Sequence, residues 1–329
     1  MAVTRPPHHR PGGGYRNPWP GTEPHRFKEF LRWRLRERSA RPPAASPPRN
    51  SLPSREPVIL TPRAASGYRS VTWVGHSTVL LQLGALNVLT YPVWSERASP
   101  FRWIGPRRLM APGVAFDALP AVDLVLLSHN HYDHLDAPTV RRLAGRFPDA
   151  VWLCPMGLGR LLHALGVRHF VERDWGQSVD LPLGSAACTP AQHFSARGLR
   201  DRGDTLWCGW ALQADDVRVY FAGDTALHPD FGAIAGLGPF DLIMLPIGAY
   251  EPRWFMRSVH MDPEEAIEAY RVLAAPDRTP PCLALHWGTF RLTDEPVEEP
   301  PARFARRWRE AGLPAHANWT LAHGETRRL

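Results

Sequence analysis

Three histidines and an aspartate fall within six residues of this sequence, at His129, His131, Asp133 and His134. Imidazole nitrogens and carboxylate oxygens are the usual protein ligands of Zn²⁺ and of similar first-row metal ions. His129 and His131 are two positions apart, so in an extended segment both side chains reach the same side. Asp133 and His134 follow after the chain has turned and can face a second ion. The HxHxDH spacing therefore predicts a metal site.

A strand and a helix are predicted on either side of this cluster. An uninterrupted apolar run is typical of a buried strand, which we place at residues 122–128. A helix is predicted over residues 137–147, with Asp136 as its N-cap and Pro138 in its first turn. The cluster then follows the end of a buried strand.

Three further candidate ligands also follow predicted strands, namely His193, Asp224 and His286. Gly223 precedes Asp224 and lets the backbone turn sharply there. A single histidine after a strand is more typical of a structural residue than of a metal ligand. Together with the first cluster, however, these three residues complete two coordination sets that share one carboxylate.

Strands and helices alternate along the rest of the chain. Strands are predicted at residues 70–74, 78–83, 86–90, 151–154, 186–190, 206–213, 217–221, 241–246 and 282–285. Helices are predicted at residues 156–165, 263–274 and 301–311. The second of these helices opens on Asp262 as N-cap, Pro263 as first helical residue and Glu265 as capping-box partner. This order predicts one α/β domain of two sheets faced by helices.

The composition is that of a globular protein, with 44% hydrophobic residues in a chain of 329. No apolar run is long enough to span a bilayer, and the N-terminus lacks the apolar region of a secretory signal. The four cysteines lack CxxC spacing and are expected to be reduced and buried; they are Cys154, Cys188, Cys208 and Cys282. We therefore expect a cytoplasmic protein.

The net charge of +7 belongs to the N-terminal segment. Residues 1–62 contain 12 Arg and Lys against four Glu, a balance of +8, which leaves −1 for the remainder. The same segment holds 13 of the 35 prolines, which is typical of irregular structure. We therefore predict a basic Pro-rich segment at residues 1–62 and a catalytic domain at residues 63–329. The body shows no basic stripe, so no nucleic-acid partner is expected.

One amphipathic helix is predicted in the N-terminal segment, over residues 23–38. Its apolar residues share one face and arginines surround them; these residues are Phe27, Phe30, Leu31 and Leu35. The helix either packs on the body of its own protein or rests on an anionic membrane surface. Residues 41–63, rich in proline and serine, are expected to form a linker.

Seven segments of the sequence resemble the metallo-β-lactamase superfamily, and within it the N-acyl-phosphatidylethanolamine-hydrolysing phospholipases D. They are residues 16–19, 72–76, 97–100, 129–136, 221–225, 246–256 and 286–290. The HxHxDH motif specifies only the superfamily, whereas the run from Pro246 through His260 to Glu265 is more specific to this branch. The resemblance implies an αββα four-layer sandwich with the metals at one edge between the sheets.

The resemblance also implies a role for each candidate residue. One Zn²⁺ would be held by His129, His131 and His193, the other by Asp133, His134 and His286, with Asp224 bridging them. Manganese or iron also suits such ligands. A histidine that matches His260 lies near the metals in this branch and assists the reaction. The alternative is that His260 is a structural histidine just before the helix N-cap.

The implied activity is hydrolysis of a phosphodiester. Two zinc ions lower the pKa of a bound water toward ~7. The resulting hydroxide, with Asp224 and His260 as catalytic residues, would cleave N-acyl-phosphatidylethanolamine into N-acylethanolamine and phosphatidic acid. The expected partners are a phospholipid and a membrane surface at residues 23–38, with a homodimer left open. The alternatives are a lactonase or other ester hydrolase, and a metal-binding, membrane-associated protein with weak activity.

Tyr91 departs from the family pattern. Related sequences carry aspartate in the motif Leu-Thr-Asp-Pro, whereas this chain has tyrosine at that position. The aspartate accepts hydrogen bonds that orient the metal-binding loop, and such losses typically cost ~10–100-fold in metal affinity or activity. Tyr91 offers one hydroxyl, usually neutral, and a larger ring. We therefore expect metal binding to be retained and catalysis to be impaired or altered.

Overall fold

The computed structural model describes residues 5–25, 27–37 and 45–329. The end of the predicted helix at residues 23–38 and the start of the predicted linker at residues 41–63 lie outside the described residues. The side chain of Phe27 also lies outside them.

Two sheets of seven strands form the centre of the described structure. The first sheet contains, in spatial order, β14 (Thr326–Arg328), β1 (Arg69–Gly75), β2 (Thr78–Leu83), β3 (Leu86–Thr90), β4 (Leu124–Leu126), β5 (Val151–Pro155) and β6 (His169–Arg173). The second contains β13 (Asn318–Trp319), β12 (Cys282–Leu285), β11 (Leu242–Pro246), β10 (Val217–Phe221), β9 (Gly209–Ala214), β8 (Gly184–Thr189) and β7 (Ser178–Leu181). The run from β3 to β6 is parallel, and so is the run from β10 to β13. One apolar core extends over both sheets.

Helices cover the two sheets. They are α1 (Phe27–Arg32), which continues into a π-helical turn at Trp33–Glu37, α2 (Ala137–Arg146), α3 (Gly159–Ala164), α4 (Phe231–Ala235), α5 (Arg253–Met256), α6 (Pro263–Leu273) and α7 (Glu299–Glu310). The helix α6 contacts both β11 and α7, and it buries Ile267 and Tyr270 in the core. The prediction of two sheets faced by helices is confirmed.

Short and half-exposed elements differ from the predictions. The strands β6, β7, β13 and β14 are missed, because they are brief and none presents a continuous apolar run. The predicted strand at residues 122–128 is shorter, because the buried Leu127 already belongs to the connection that follows β4. The predicted helix at residues 156–165 shrinks to α3, since Gly157 has a φ of +89°. All four cysteines are buried and free, as predicted.

The two predicted helix N-caps behave differently. At α6 the capping box is confirmed: Asp262 accepts a hydrogen bond from the Glu265 amide at 2.9 Å, and the Glu265 carboxylate accepts one from the Asp262 amide. Asp136 precedes α2, but its side chain does not cap that helix. Its carboxylate instead accepts hydrogen bonds from the amides of Trp94 and Ser95, at 3.2 and 2.9 Å. Asp136 therefore ties the loop after β3 to the HxHxDH segment.

The described part of the N-terminal segment packs on the body of the protein. His8 and His9 each form a hydrogen bond of 2.7 Å with Asp174, and the amide of Leu60 donates to Gln82. Within the described ranges, no helix is long and apolar enough to cross a bilayer. The division at residue 62 and the cytoplasmic location stay predictions.

The predicted apolar face of the N-terminal helix omits Trp33, the residue that packs inward among those described. Phe30 and Leu31 are each 37% exposed and Leu35 is 67% exposed, whereas Trp33 is buried at 3%. Residues 23–25 are not helical, and the π-helical turn at Trp33–Glu37 changes the helical period after α1. A pattern counted at the α-helical period therefore does not place Trp33 on the apolar face.

Candidate metal centre

The first three predicted ligands meet at the ends of β4 and β8. His131 Nδ1 lies 2.9 Å from His129 Nε2 and 3.2 Å from His193 Nε2. A neutral imidazole nitrogen has either one proton or one lone pair, so hydrogen bonds among the three rings cannot satisfy all three nitrogens. A divalent cation between these nitrogens fits the donor set.

Two neighbouring groups fix which nitrogen faces this cluster. His193 Nδ1 donates to the carbonyl of Val259 at 2.9 Å, so its Nε2 carries the lone pair. Ser128 Oγ lies 2.8 Å from His129 Nδ1 and anchors that ring by its outer nitrogen, although a hydroxyl, which can donate or accept, does not by itself set the tautomer. Histidines that bind metals are usually held on the outer nitrogen like this. The first set therefore has the chemistry of a metal site.

The second predicted set brings together Asp133, His134 and His286. His134 Nε2 lies 3.1 Å from Asp133 Oδ2 and 3.2 Å from His286 Nε2. His286 Nε2 lies 3.4 Å from the same oxygen of Asp133. Two imidazoles and one carboxylate thus point their ligand atoms at one small volume, which also fits a divalent cation.

Asp224 stands between the two sets. Its Oδ2 lies 2.9 Å from His134 Nε2 and 3.1 Å from His286 Nε2. The same oxygen lies 3.8 Å from the Nε2 atoms of His129 and His193. The structure therefore brings all seven predicted ligands together, with one carboxylate oxygen within reach of both sets. Their role in binding metal stays a prediction.

Burial and mutual repulsion keep the first set unprotonated. Burial and the neighbouring His193 lower the pKa of His131 to about 3. Burial also lowers the pKa of His193, to about 4. In the second set burial opposes protonation, but Asp224 and Asp133 outweigh it and raise the pKa of His286 to about 10. A metal that binds there must displace a proton, as is usual when a cation enters a site rich in carboxylates.

His76 is a site residue that the sequence analysis does not assign. Its Nε2 lies 3.0 Å from Asp133 Oδ2, and its ring centre lies 4.1 Å from that of His286. The Trp73 indole donates to the carbonyl of His76, and the backbone amide of His76 donates to Thr289 Oγ1. His76 can therefore orient Asp133 or complete the second set. The signal in the sequence is weak, because His76 lies in the turn between β1 and β2, far along the chain from the other ligands.

The backbone at the site is bent into unusual conformations. The φ angles of His76, Tyr91 and His286 are +55°, +38° and +65°. Residues other than glycine rarely adopt this backbone region, and such strain clusters at functional sites. Gly248 permits the close approach of the His286 loop, since a Cβ there would lie 2.1 Å from the carbonyl oxygen of His286. Gly223 has a φ of +65°, which confirms the predicted turn before Asp224.

A largely apolar cavity opens over the two ligand sets. Its volume is about 580 Å³, within the usual range of small-molecule sites. Four of the predicted ligands line it, namely His131, Asp133, His193 and Asp224, together with His260. The other lining residues are mostly aromatic or aliphatic, including Phe194, Phe255, Met256, Val259 and Leu292. The cavity therefore offers charge at the metal ligands and a hydrocarbon-like surface elsewhere.

His260 lies beside the metal ligands, as the resemblance implies. It is 6% exposed, and its ring centre is 5.0 Å from those of His193 and His286. Burial lowers its pKa well below the usual value, so the imidazole is neutral. Its Nδ1 has no hydrogen-bond partner among the described residues. A neutral buried imidazole with a free nitrogen can accept a proton from a reacting group.

Tyr91 is fully buried against the site. Its ring centre lies 4.3 Å from that of His134, whose Nδ1 has no hydrogen-bond partner in the described structure. The hydroxyl of Tyr91 is 3.5 Å from His129 Nδ1, which is too long for a strong hydrogen bond. Burial raises the pKa of Tyr91, so the hydroxyl is neutral. Ser128, rather than Tyr91, holds His129, and no described residue accepts a hydrogen bond from His134 Nδ1.

Replacing Tyr91 by aspartate should raise turnover by ~10–100-fold, the usual weight of a group that orients a metal ligand. The carboxylate would stand beside His134 Nδ1, and aspartate tolerates the left-handed backbone better than tyrosine does. The control is Tyr91→Phe, which should match the wild type because only the weak hydroxyl contact is lost. Steady-state turnover and metal content are measured together. Unchanged turnover and zinc content in Tyr91→Asp would contradict a role for this position.

Comparison with known proteins identifies the family. A family model described as a β-lactamase superfamily domain matches residues 86–287. An N-acyl-phosphatidylethanolamine-hydrolyzing phospholipase D of Caenorhabditis elegans is 40% identical over 241 residues, which cover 70% of this chain and 67% of that protein. This chain belongs to the metallo-β-lactamase superfamily. The predicted membership, and the likeness to the phospholipase D branch, are confirmed.

Other members of the superfamily agree with this assignment. An uncharacterized protein of Mycobacterium tuberculosis is 46% identical over 264 residues, 79% of this chain and 69% of its own length. The solved structure of Igni18, a metallo hydrolase of Ignicoccus hospitalis, shares the fold with a TM-score of 0.60 and 23% identity. That likeness covers 79% of this chain and 98% of the other. The protein is a metal-dependent hydrolase of the metallo-β-lactamase superfamily.

Proposed function

We propose that this protein is a dizinc phosphodiesterase that cleaves N-acyl-phosphatidylethanolamine into N-acylethanolamine and phosphatidic acid. The observation that carries the proposal is a largely apolar cavity, part of whose lining consists of predicted metal ligands from both sets. Such a cavity suits a substrate with a charged phosphodiester and a hydrocarbon chain. The Caenorhabditis elegans relative, whose name states this reaction, supports the choice of substrate.

The two ligand sets divide the chemistry between the metals and the protein. Zinc ions bound there would lower the pKa of a coordinated water toward ~7 and offset the charge that develops on the phosphoryl oxygens. Asp224 would be a ligand shared by the two sites, and its single negative charge would offset only part of the positive charge of the two ions. His193 and His129 would stay in register because Val259 and Ser128 hold their outer nitrogens.

His260 would move the proton. Because its imidazole is neutral, it can accept a proton as water attacks phosphorus and return that proton to the leaving oxygen of N-acylethanolamine. The phosphorus–oxygen bond to the ethanolamine breaks, and the new oxygen on phosphorus comes from water. The products are then phosphatidic acid and a neutral N-acylethanolamine.

A substrate panel tests this function. The zinc-loaded protein is assayed with N-palmitoyl-phosphatidylethanolamine, with an unmodified phosphatidylethanolamine and with a long-chain lactone. We expect turnover of the N-acylated phospholipid and weak or no turnover of the lactone. Turnover of the lactone alone would replace the proposal with a lactonase, and turnover of none would indicate a metal-binding protein with little activity.

We also propose that the exposed side of the N-terminal helix rests on an anionic membrane. Leu31 and Leu35 are exposed beside the basic residues Lys28 and Arg32, a combination that suits the surface of an anionic bilayer. Replacing both leucines by serine should weaken binding to vesicles that contain phosphatidylglycerol by about tenfold. Co-sedimentation measures the binding, with Val272→Ser, an exposed position on α6, as control. Equal binding of the two variants would rule out this contact.

A further inference from the structure

The N-terminal segment reaches the cavity over the metal ligands. Four of its residues line that cavity, namely Pro24, His25, Phe30 and Trp33. They face the same space as the metal ligands His131 and Asp133. We propose that these four residues are the specificity element of the enzyme and form the wall that receives a long hydrocarbon chain of the lipid. The inference deepens the proposed function and rests on it.

The wall is fastened to the body at several points. Trp33 is 3% exposed, and its indole donates to the carboxylate of Asp294. The Trp33 ring centre lies 5.2 Å from that of Phe255, and the His25 ring stacks on the same Phe255 ring at 5.2 Å. His25 Nε2 also lies 2.8 Å from the carbonyl oxygen of Trp254. A wall that is held this way has a fixed shape before the lipid arrives, which lowers the entropy lost on binding.

A second set of contacts holds His25, within the wall, and Glu37, which follows it along the chain. The indole of Trp254 donates to Glu37 at 2.9 Å, and Arg202 donates to the carbonyl of His25 at 2.6 Å. Trp254 and Phe255 belong to α5, which ends at the cavity residue Met256 and is followed by the cavity residue Val259. The N-terminal stretch and the segment that leads to His260 therefore form one packed unit around the cavity.

The chemical class of the ligand follows from the lining. Phe30 and Trp33 join Phe194, Phe255 and Leu292 in a surface with few hydrogen-bonding groups. A sugar or a nucleotide would leave its polar groups unpaired there, whereas a methylene chain loses nothing but contact with water. Each buried methylene contributes about fourfold in affinity. The wall therefore favours long acyl chains over short ones.

The position of the wall in the sequence separates it from the catalytic machinery. The superfamily match covers residues 86–287, which include every predicted metal ligand and His260. Residues 24–33 lie outside that match. The shared domain can therefore supply the metal chemistry while the N-terminal stretch selects the substrate.

The test compares chain lengths at an unchanged interface. Wild type, Trp33→Ala and Phe30→Ala are assayed in the same mixed micelles with N-palmitoyl and N-butanoyl forms of one phospholipid. A second pair of substrates varies the glycerol-linked chains instead, so that the chain bound by the wall is identified. Bis(p-nitrophenyl) phosphate, which has no chain, reports the metal chemistry alone. Matched controls are Trp103→Ala and Phe101→Ala, whose side chains are 75% and 52% exposed and do not line the cavity.

We expect Trp33→Ala to lower kcat/KM for the long-chain substrate by about ten- to hundredfold. Activity on the short-chain lipid and on bis(p-nitrophenyl) phosphate should change by less than about twofold. Phe30→Ala should show the same selectivity, and because Phe30 is half-exposed this variant tests the wall even if Trp33→Ala unfolds. The two control variants should match the wild type on all substrates.

Three results would overturn the inference. Equal losses on long and short chains would mean that the stretch acts through the membrane or through the fold. No loss on any substrate would mean that it does not contact the lipid.

Binding of hexadecyl phosphate, measured by calorimetry, separates this inference from the proposed function. Weaker binding by Trp33→Ala in a protein that cleaves no lipid would refute the function and keep the wall, and equal binding would refute the wall.

Discussion

Replacing Asp224 by asparagine should lower turnover by about a thousandfold. Asparagine keeps the shape of the side chain but removes the negative charge that serves both ligand sets. The oxygen that would bridge is 2.9 Å from His134 Nε2 and 3.1 Å from His286 Nε2, and 3.8 Å from a nitrogen of each of two further histidines. A variant at this position should therefore disturb both metals at once, whereas a single histidine variant should disturb one.

The Asp224→Asn experiment needs metal analysis beside kinetics. Inductively coupled plasma mass spectrometry should give about two zinc ions per wild-type chain and clearly less zinc per chain of the variant. Asp117→Asn is the control, because that side chain is 91% exposed and its ion-pair partners, Arg142 and Arg146, are not candidate ligands. Wild-type turnover with a full metal complement in Asp224→Asn would show that the carboxylate is not shared.

Replacing His260 by asparagine should lower kcat by about a hundredfold or more without loss of metal. The reason is that a neutral, buried imidazole beside the ligands is the protein group best placed to move a proton. The effect should fall on kcat rather than on KM, because the side chain assists the reaction and does not hold the lipid chain. It should also be smaller for bis(p-nitrophenyl) phosphate, whose leaving group departs without needing a proton.

The His260 experiment separates three roles. His163→Asn, at an exposed position on α3, serves as the control and should match the wild type. Loss of one zinc from His260→Asn would make His260 a ligand, in line with its short distance to ligand atoms of His193 and Asp224. Wild-type kcat with full metal would leave His260 as the structural histidine that the sequence also allowed.

The ligand set could be predicted because it follows the topology of the sheets. His129 follows β4 in the parallel part of the first sheet, and Asp224 and His286 follow β10 and β12 in the parallel part of the second. Parallel strands end at the same edge, so polar residues just after them meet there. The local spacing of HxHxDH and the glycine before Asp224 add short-range signals that a sequence carries directly.

The residues that the sequence could not assign depend on contacts between distant segments. His76 reaches Asp133 only because the amide of His286 donates to the carbonyl of His76 and joins the two sheets at this point. Asp136 has the spacing of an N-cap, yet the loop after β3 supplies donors for its carboxylate. No periodicity within one element contains this information, because both roles arise from pairing across the sandwich.

The N-terminal helix shows a different limit. The apolar pattern of residues 23–38 predicts a helix, which the structure shows over Phe27–Arg32, but the pattern does not include the buried Trp33. The π-helical turn and the partner Asp294, which lies far along the chain, decide which side faces inward. Helical period is therefore a weak guide in a short helix whose packing partner is far away in the sequence.

The central claim is that water attacks phosphorus at the shared metal site and releases N-acylethanolamine. The most direct measurement is hydrolysis of N-palmitoyl-phosphatidylethanolamine by the zinc-loaded protein in water labelled with the heavy isotope oxygen-18. Both products are then analysed by mass spectrometry. We predict one heavy oxygen in the phosphate of phosphatidic acid and none in N-palmitoylethanolamine. A label in N-palmitoylethanolamine or in a released fatty acid, or the absence of both products, would contradict the account.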